Sequence, residues 1–211
     1  MLSDTRHSPH QLQPWDLKVP EQWHRGRERY LLWSIAVDCP LVLARLHAAQ
    51  ALLDDWLHPP GPRQAHVSVF ICGFASPHTR YDDDIEPAVL AAQQGALTQL
   101  RLAPFELHIG DLDSFASAAF LHVHHQGQLD QLRQALAALH PEVRQAPYVP
   151  HLTVGLYRQF VLASAWRRRV HSLQNTQRLC LPVRELQLVS YAASEPQGAL
   201  RVEARIPLRG C

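Results

Sequence analysis

Two short segments of this 211-residue chain share a pattern of residue types that suits acid–base chemistry. His66-Val67-Ser68-Val69 and His151-Leu152-Thr153-Val154 each consist of a histidine, an apolar residue, a hydroxyl residue and a valine. Both lie in apolar runs that are typical of β-strands. Because side chains alternate between the two faces of a strand, each histidine shares a face with the hydroxyl residue of its own motif. Two such pairs on neighbouring strands would place two imidazoles and two hydroxyls in one cleft.

Two imidazoles and two hydroxyls are suited to a displacement at phosphorus. One imidazole takes a proton from the attacking oxygen and the other gives a proton to the leaving oxygen, and imidazoles ordinarily titrate near neutral pH. Hydroxyl groups donate hydrogen bonds to the non-bridging phosphoryl oxygens, which carry negative charge throughout the reaction. We therefore take His66 and His151 as candidate catalytic residues and Ser68 and Thr153 as candidate phosphate-binding residues. This chemistry requires no metal and no other cofactor.

The elements that must position these motifs occur twice in the same order: strand, helix, motif strand, helix, strand. Apolar periodicity and turn residues predict the first set over residues 29–37, 40–57, 65–74, 86–100 and 104–109. The second set is predicted over residues 118–124, 128–139, 149–157, 162–173 and 185–192, with a last strand over 201–207. In both sets the motif histidine opens the strand that follows a leucine-rich helix. The repeat predicts an α+β (α/β) fold of two similar lobes, related by a pseudo-two-fold axis, whose antiparallel sheets enclose a central cleft.

The motifs and the order of elements around them resemble the 2H phosphoesterases, and among these the family of 2'-5' RNA ligases and RNA 2',3'-cyclic phosphodiesterases. The resemblance is carried by the first motif and by Tyr148-Val149-Pro150-His151-Leu152-Thr153-Val154, and it spans about residues 29–207. It implies hydrolysis of a 2',3'-cyclic phosphate, at an RNA end or in a small nucleotide, to the 2'-phosphomonoester. The reverse reaction, joining a cyclic end to a 5'-hydroxyl, would use the same groups.

The sequence departs from the family pattern at two positions. Ser68 stands where threonine is common, which preserves the hydroxyl. Members of this family often have an arginine soon after the second motif, whereas here the first arginine is Arg158. In a regular strand this spacing would turn the arginine to the opposite face, which bears on the preference for RNA more than on the phosphoesterase chemistry.

Three other functions compete with this interpretation. The first alternative is an enzyme with the same chemistry that acts on a different cyclic or 2',5'-linked nucleotide, such as a cyclic phosphate derived from ADP-ribose. A non-catalytic module that binds RNA or nucleotides would retain the cleft without turnover. A purely structural protein would leave the repeated motif unexplained. Substrate panels separate the first alternative, and binding without turnover identifies the second.

Several aromatic, histidine and aspartate side chains have both a functional and a structural interpretation. Phe70 and Tyr157 follow the motifs at even spacing, so each ring either stacks on a nucleobase at the cleft edge or packs in the core. His122 and His124, with His125 and His108 nearby, would allow a metal site, but no carboxylate or cysteine is spaced to complete one. The run 82–84 of three aspartates is more typical of a solvated loop or a helix N-terminus than of a metal site.

The distribution of charge and the character of the N-terminal residues indicate the domain organisation and the kind of ligand. The formal net charge is +1, but the segment 143–184 contains arginines and no acidic residue, so the second motif lies in a locally positive region. The polar residues 1–28 are predicted to form an irregular N-terminal arm, followed by a single two-lobed domain over 29–211, with lobes of about 29–110 and 111–211. The N-terminus has no apolar signal-like run, so we expect a cytoplasmic protein that does not act at a membrane. We also expect a monomer whose binding partners are RNA ends or small cyclic nucleotides.

Overall fold

The computed structural model describes residues 1–2, 8–18, 21–143, 146–171, 174 and 177–209. All seven strands and four helices predicted from the sequence are present, with ends that differ by a few residues. The predicted end of the helix over 162–173, parts of the arm, and the chain end at 210–211 lie outside the described residues. The strands are β1 (Gln11–Leu12), β2 (Arg29–Ala36), β3 (His66–Ala75), β4 (Asp84–Ile85), β5 (Phe105–Ser114), β6 (Ala118–His124), β7 (His151–Leu156), β8 (Val161–Leu162), β9 (Leu179–Val183), β10 (Glu185–Ala192) and β11 (Arg201–Pro207). The helices are α1 (Glu21–His24), α2 (Pro40–Leu52), α3 (Pro87–Gln99), α4 (Gln128–Ala137) and α5 (Ala163–Val170).

A single sheet connects the two lobes, in the strand order β11-β10-β2-β3-β7-β6-β5-β9. Every neighbouring pair along this path is antiparallel, and the short β4 adds to β3 in parallel. The motif strands β3 and β7 are the central pair, where they meet at Val67 and Leu152. The α+β fold is thus confirmed, and the repeat places its two histidine motifs side by side at the junction of the lobes.

The two repeats exchange their last strands. The first repeat runs β2-α2-β3-α3-β5, and the second runs β6-α4-β7-α5-β10. β5 pairs with β6 of the second repeat, whereas β10 pairs with β2 of the first. Each half of the chain therefore completes its part of the sheet with a strand from the other half. This pairing is long-range and leaves no mark on local hydrophobic periodicity.

The helices form where the apolar stripe of the sequence faces the core. In α2, Pro40 occupies the first turn, where a missing N–H is tolerated, and Val42, Leu46 and Ala49 are buried. The helix ends at Leu52 rather than at the predicted residue 57, yet the apolar residues beyond it stay buried in the following turns. In α4 the buried stripe is Leu129, Leu132 and Leu136. Side chains of both repeats contribute to one hydrophobic core.

The N-terminal arm is more ordered than its composition predicts. β1 pairs with β8, Leu12 is fully buried, and α1 places Trp23 against the rings of Tyr30 and Phe74. No helix in the described part of the chain is long and apolar enough to cross a membrane.

Two aspartates of the run at 82–84 hold this arm in place. The solvated-loop alternative is wrong for Asp84, which is buried, whereas Asp83 is partly exposed. Arg27 donates through Nη1 to Asp83 and Asp84, both at 2.5 Å, and its guanidinium lies over the ring of Phe74. The carboxylate of Asp84 is buried and also accepts from the backbone of Arg80. The hydrogen bonds to Arg27 and to this backbone hold the pKa of Asp84 below its usual value, although burial opposes the shift.

Candidate active site

The four motif side chains that the sequence singled out line one cavity. Val67 pairs with Leu152 across the central ladder, so the residues on either side of each point to the other face of the sheet. His66, Ser68, His151 and Thr153 all border a cleft of about 1040 Å³ on that face. The predicted convergence of the two motifs is therefore present in the structure.

Both imidazoles are oriented by the same local hydrogen bond. Nδ1 of His66 lies 2.9 Å from the carbonyl oxygen of Gln64, and Nδ1 of His151 lies 2.6 Å from that of Val149. A carbonyl oxygen can only accept, so Nδ1 must be the donor and carry a proton in each ring. Nε2 is then the atom at which each imidazole gains or loses its second proton. In both motifs the acceptor is the residue two positions earlier, as the pseudo-two-fold relation requires.

The environment of His66 favours the neutral ring. Burial is the main cause that lowers the pKa of His66 from 6.5 to about 4; electrostatic interactions with Arg63 and His151 act in the same direction, whereas the hydrogen bond to Gln64 opposes the shift. At neutral pH His66 is therefore a neutral imidazole. It can accept a proton at Nε2 but has none there to give.

A β-bulge follows the hydroxyl residue in each motif strand. On β3, Ser68 pairs with Ser34 but Phe70 pairs with Trp33, which leaves Val69 as the extra residue. The register of β7 against β6 shifts in the same way between Thr153 and Gly155, which leaves Val154 as the extra residue. A bulge reverses the alternation of side chains beyond it.

The bulges correct the expectation that Phe70 and Tyr157 could stack on a base. Phe70 is 1% exposed and Tyr157 is 0% exposed, because both lie beyond the bulge and face the core. The hydroxyl group of Tyr157 makes a 2.7 Å hydrogen bond with Oγ of Ser114. For both rings the core-packing alternative is the correct one, and the base-stacking alternative is wrong.

The bulge at Val154 also places Arg158 at the cleft. In a regular strand this side chain would lie on the face opposite His151, but it borders the cavity, and its guanidinium donates to the carbonyl oxygen of Asp55. The departure of the sequence from the family spacing therefore does not remove an arginine from the site.

Each bulge is supported by the helix of the opposite repeat. Arg133 of α4 donates to the carbonyl oxygen of Val69 at 2.7 Å, and Gln50 of α2 donates to that of Val154 at 3.0 Å. These contacts satisfy backbone acceptors where the ladder is irregular. Behind the first motif, Glu142 pairs with Arg133 at 2.6 Å and accepts from the backbone N–H of Ile71 at 3.0 Å.

The charged side chains among the described residues that line the cleft are net positive, since Arg63 and Arg158 outnumber Asp54. Among the described residues, Asp54 is the only acidic residue that lines the cleft. The basic residues that line it are Arg63, Arg158, His47, His58, His66 and His151. Such a lining favours an anionic substrate. Arg167 and Arg169, by contrast, bind other parts of the chain, Ser8 and Asp55 respectively.

Arg63 is a candidate substrate-binding residue that sequence reasoning missed. Its guanidinium lies 4.0 Å from the ring centre of Tyr191, and Nε donates to the carbonyl oxygen of Gly198 at 3.2 Å. Nη2 is buried and has no hydrogen-bond acceptor among the described residues. Its sequence position, three residues before His66 and after a proline-rich turn, was the available signal.

The histidine group on β5 and β6 forms a separate feature. Nε2 of His122 lies 3.0 Å from Oδ2 of the buried Asp113, and the rings of His122 and His124 are 6.1 Å apart. Together with Arg178, these two histidines border a second cavity of about 190 Å³. No group of three or more potential ligands in the described residues is arranged to hold a metal ion.

Fold and site together define the class of 2H phosphoesterases. The sequence model of the 2'-5' RNA ligase superfamily matches residues 40–195, and the chain belongs to that superfamily. Among solved structures, the protein TT0787 of Thermus thermophilus is similar with a TM-score of 0.60 and 20% identity, over 86% of this chain and 98% of that one. LigT of E. coli in its apo form is similar with a TM-score of 0.58 and 16% identity, over 87% and 99%. At these identities the likeness concerns the fold. No curated protein matches the sequence significantly.

Proposed function

We propose that this protein is a metal-independent phosphodiesterase that hydrolyses 2',3'-cyclic phosphates, at RNA ends or in small nucleotides, to 2'-phosphates. The observation that carries the proposal is the pair of imidazoles, each fixed through Nδ1, which open with two hydroxyls into one cleft. This set supplies a base, an acid and two hydrogen-bond donors for a phosphoryl group.

The reaction breaks one ester bond of the cyclic phosphate. A water oxygen attacks phosphorus in line with the 3'-oxygen, and one imidazole takes the proton of that water at Nε2. The bond between phosphorus and the 3'-oxygen breaks, and the other imidazole gives a proton to the departing oxygen. The 2'-oxygen keeps the phosphoryl group. In the reverse direction, with a 5'-hydroxyl in place of water, the same steps would form a 2',5' linkage.

We assign His66 as the base and His151 as the acid. The pKa of His66 is lowered to about 4, mainly by burial, so this ring is neutral and able to accept a proton. A base of such a low pKa would be weak, but the phosphoryl anion of a bound substrate raises the pKa of a nearby imidazole towards the working pH. His151 lines the same cleft, so we assign to it the proton that the departing oxygen takes up.

The remaining cleft residues stabilise charge on the phosphoryl group. Ser68 and Thr153 donate hydrogen bonds to its non-bridging oxygens, since they share the cleft face with the histidines. The hydroxyl group of Tyr148 donates to the carbonyl oxygen of Ser68 at 2.8 Å, which fixes the backbone of the first motif. Arg63 lines the same cleft and acts electrostatically on His66, so its guanidinium adds positive charge beside the phosphoryl group.

Ligands of a related structure support a nucleotide substrate. LigT of E. coli has been crystallised in complex with phosphate and with 3'-AMP, at TM-scores to this chain of 0.53 and 0.54. A cleft of about 1040 Å³ is also large enough for a nucleotide and not only for its phosphate.

The test measures turnover of 2',3'-cyclic mononucleotides and of a short RNA with a 2',3'-cyclic end, in buffer that contains EDTA. The products are identified by ³¹P NMR. The proposal predicts 2'-phosphate as the sole product and a rate that EDTA does not change. Loss of activity in EDTA with recovery on adding zinc would contradict the metal-independent mechanism. Binding of both substrates without turnover would identify the cleft as a binding module, and turnover of only other cyclic or 2',5'-linked nucleotides would reassign the substrate.

A further inference from the structure

Part of the cleft wall comes from the N-terminal arm, which precedes the region matched by the superfamily model, residues 40–195. The arm is fixed to the second motif side of the molecule by β1, which pairs with β8. The backbone N–H of Gln13 then donates to the carbonyl oxygen of Ala116 at 2.8 Å. The chain that follows therefore has a defined path along the cleft.

Trp15 is held on this path by its backbone while its side chain stays accessible. Its N–H donates to the carbonyl oxygen of Tyr157 at 2.8 Å, and its carbonyl oxygen accepts from Nε2 of His58 at 2.9 Å. The indole is 46% exposed and borders the same cavity as His66 and His151. It is the one exposed tryptophan of the five in the chain, all of which the structure describes.

The surroundings of Trp15 suit a nucleobase better than a phosphate. Leu17, Pro59 and Pro60 line the cavity with it and present apolar surface. A large ring fixed by its backbone loses little conformational freedom when a base stacks on it, and such stacking tolerates any base because every base has a π-face. Phe70 and Tyr157, the rings that sequence reasoning offered for this role, are buried in the core.

We propose that Trp15 is the stacking platform for the nucleobase of the substrate, and thus that the N-terminal arm determines affinity for nucleotides at this site. The inference rests on the proposed function for the phosphoryl half of the cleft. Trp15 acts by holding the base and takes no part in the proton transfers.

The test compares the binding of a nucleoside 2'-monophosphate with that of inorganic phosphate by calorimetry, so that it requires no turnover. Trp15→Ala is expected to weaken binding of the nucleotide about 5- to 100-fold and to leave binding of inorganic phosphate unchanged. Trp15→Phe is expected to restore a large part of the loss. Phe160→Ala is the matched control, because Phe160 is 59% exposed and does not line the cavity.

Each outcome either supports or overturns the proposal. Equal loss of nucleotide and phosphate binding, unchanged nucleotide binding in Trp15→Ala, or no nucleotide binding by the unaltered protein would overturn it. If the unaltered protein binds nucleotide through Trp15 but hydrolyses no 2',3'-cyclic phosphate, the stacking role stands and the proposed reaction fails. Circular dichroism of Trp15→Ala separates a lost platform from a misfolded arm.

Discussion

The environment of His66 predicts where the pH profile of the enzyme falls. A pKa of about 4 instead of 6.5 corresponds to about 3 kcal/mol in favour of the neutral ring. The acid limb of kcat/KM reports groups of the free enzyme, and that of kcat reports the enzyme–substrate complex. We therefore expect the acid limb of kcat/KM for a 2',3'-cyclic mononucleotide near pH 4, and that of kcat at a higher pH, because the bound phosphoryl anion stabilises the imidazolium.

The assay combines steady-state rates between about pH 3 and 9, which bracket the expected acid limb, with an NMR titration of the histidine rings, assigned with His66→Gln. Replacing Arg63 by methionine removes one of the positive charges that lower the pKa of His66, so this pKa should rise in Arg63→Met. Inorganic phosphate should raise it in the unaltered protein. A free-enzyme pKa of His66 at or above 6.5 would refute the reasoning and the assignment of His66 as the base.

Three further predictions concern the residues around the histidines. Ser68→Ala and Thr153→Ala should each lower kcat by about 10- to 1000-fold with little change in KM, measured by steady-state hydrolysis, because each removes a donor to charge that grows in the transition state. Tyr157→Phe should cost about 1 kcal/mol in denaturant unfolding through the lost bond to Ser114 and leave KM unchanged; a large rise in KM would restore Tyr157 to the substrate site. Arg133→Met should cost about 3 kcal/mol in the same unfolding assay, since it leaves the largely buried Glu142 without its partner, and a loss below 0.5 kcal/mol would contradict this role.

The elements of the fold could be predicted because each has its own period. The stripe of Leu129, Leu132 and Leu136 marks a helix, and the apolar runs around the two motifs mark strands. The repetition of these elements was sufficient to predict that His66 and His151 converge. What local patterns do not contain is the partner of a strand, so the exchange of β5 and β10 between the lobes appears only in the structure.

The errors at the site have one physical origin, the pair of bulges at Val69 and Val154. Strict alternation places Phe70 and Tyr157 on the cleft face, and a single extra residue moves both into the core. Valine gives no local signal for a bulge, because the contacts that support it come from Arg133 and Gln50 on helices far along the chain.

Trp15 and Arg63 were missed for a different reason. Neither residue belongs to a motif. Each lies at the cleft only because the tertiary structure brings its segment there. Asp84 is the opposite case. Its sequence context predicts a solvated carboxylate, but in the fold it is buried and pairs with Arg27 of the arm.

The most direct test of the account is the rate of 2',3'-cyclic mononucleotide hydrolysis in the unaltered protein, in His66→Ala and in His151→Ala, with His47→Ala as a control that removes an imidazole from the cleft wall outside the motifs. The account predicts that kcat falls by about 100- to 10,000-fold in each motif variant, with 2'-phosphate as the product of the residual activity, and by far less in His47→Ala. Turnover that survives in either motif variant at near the unaltered rate would contradict catalysis by the two histidines.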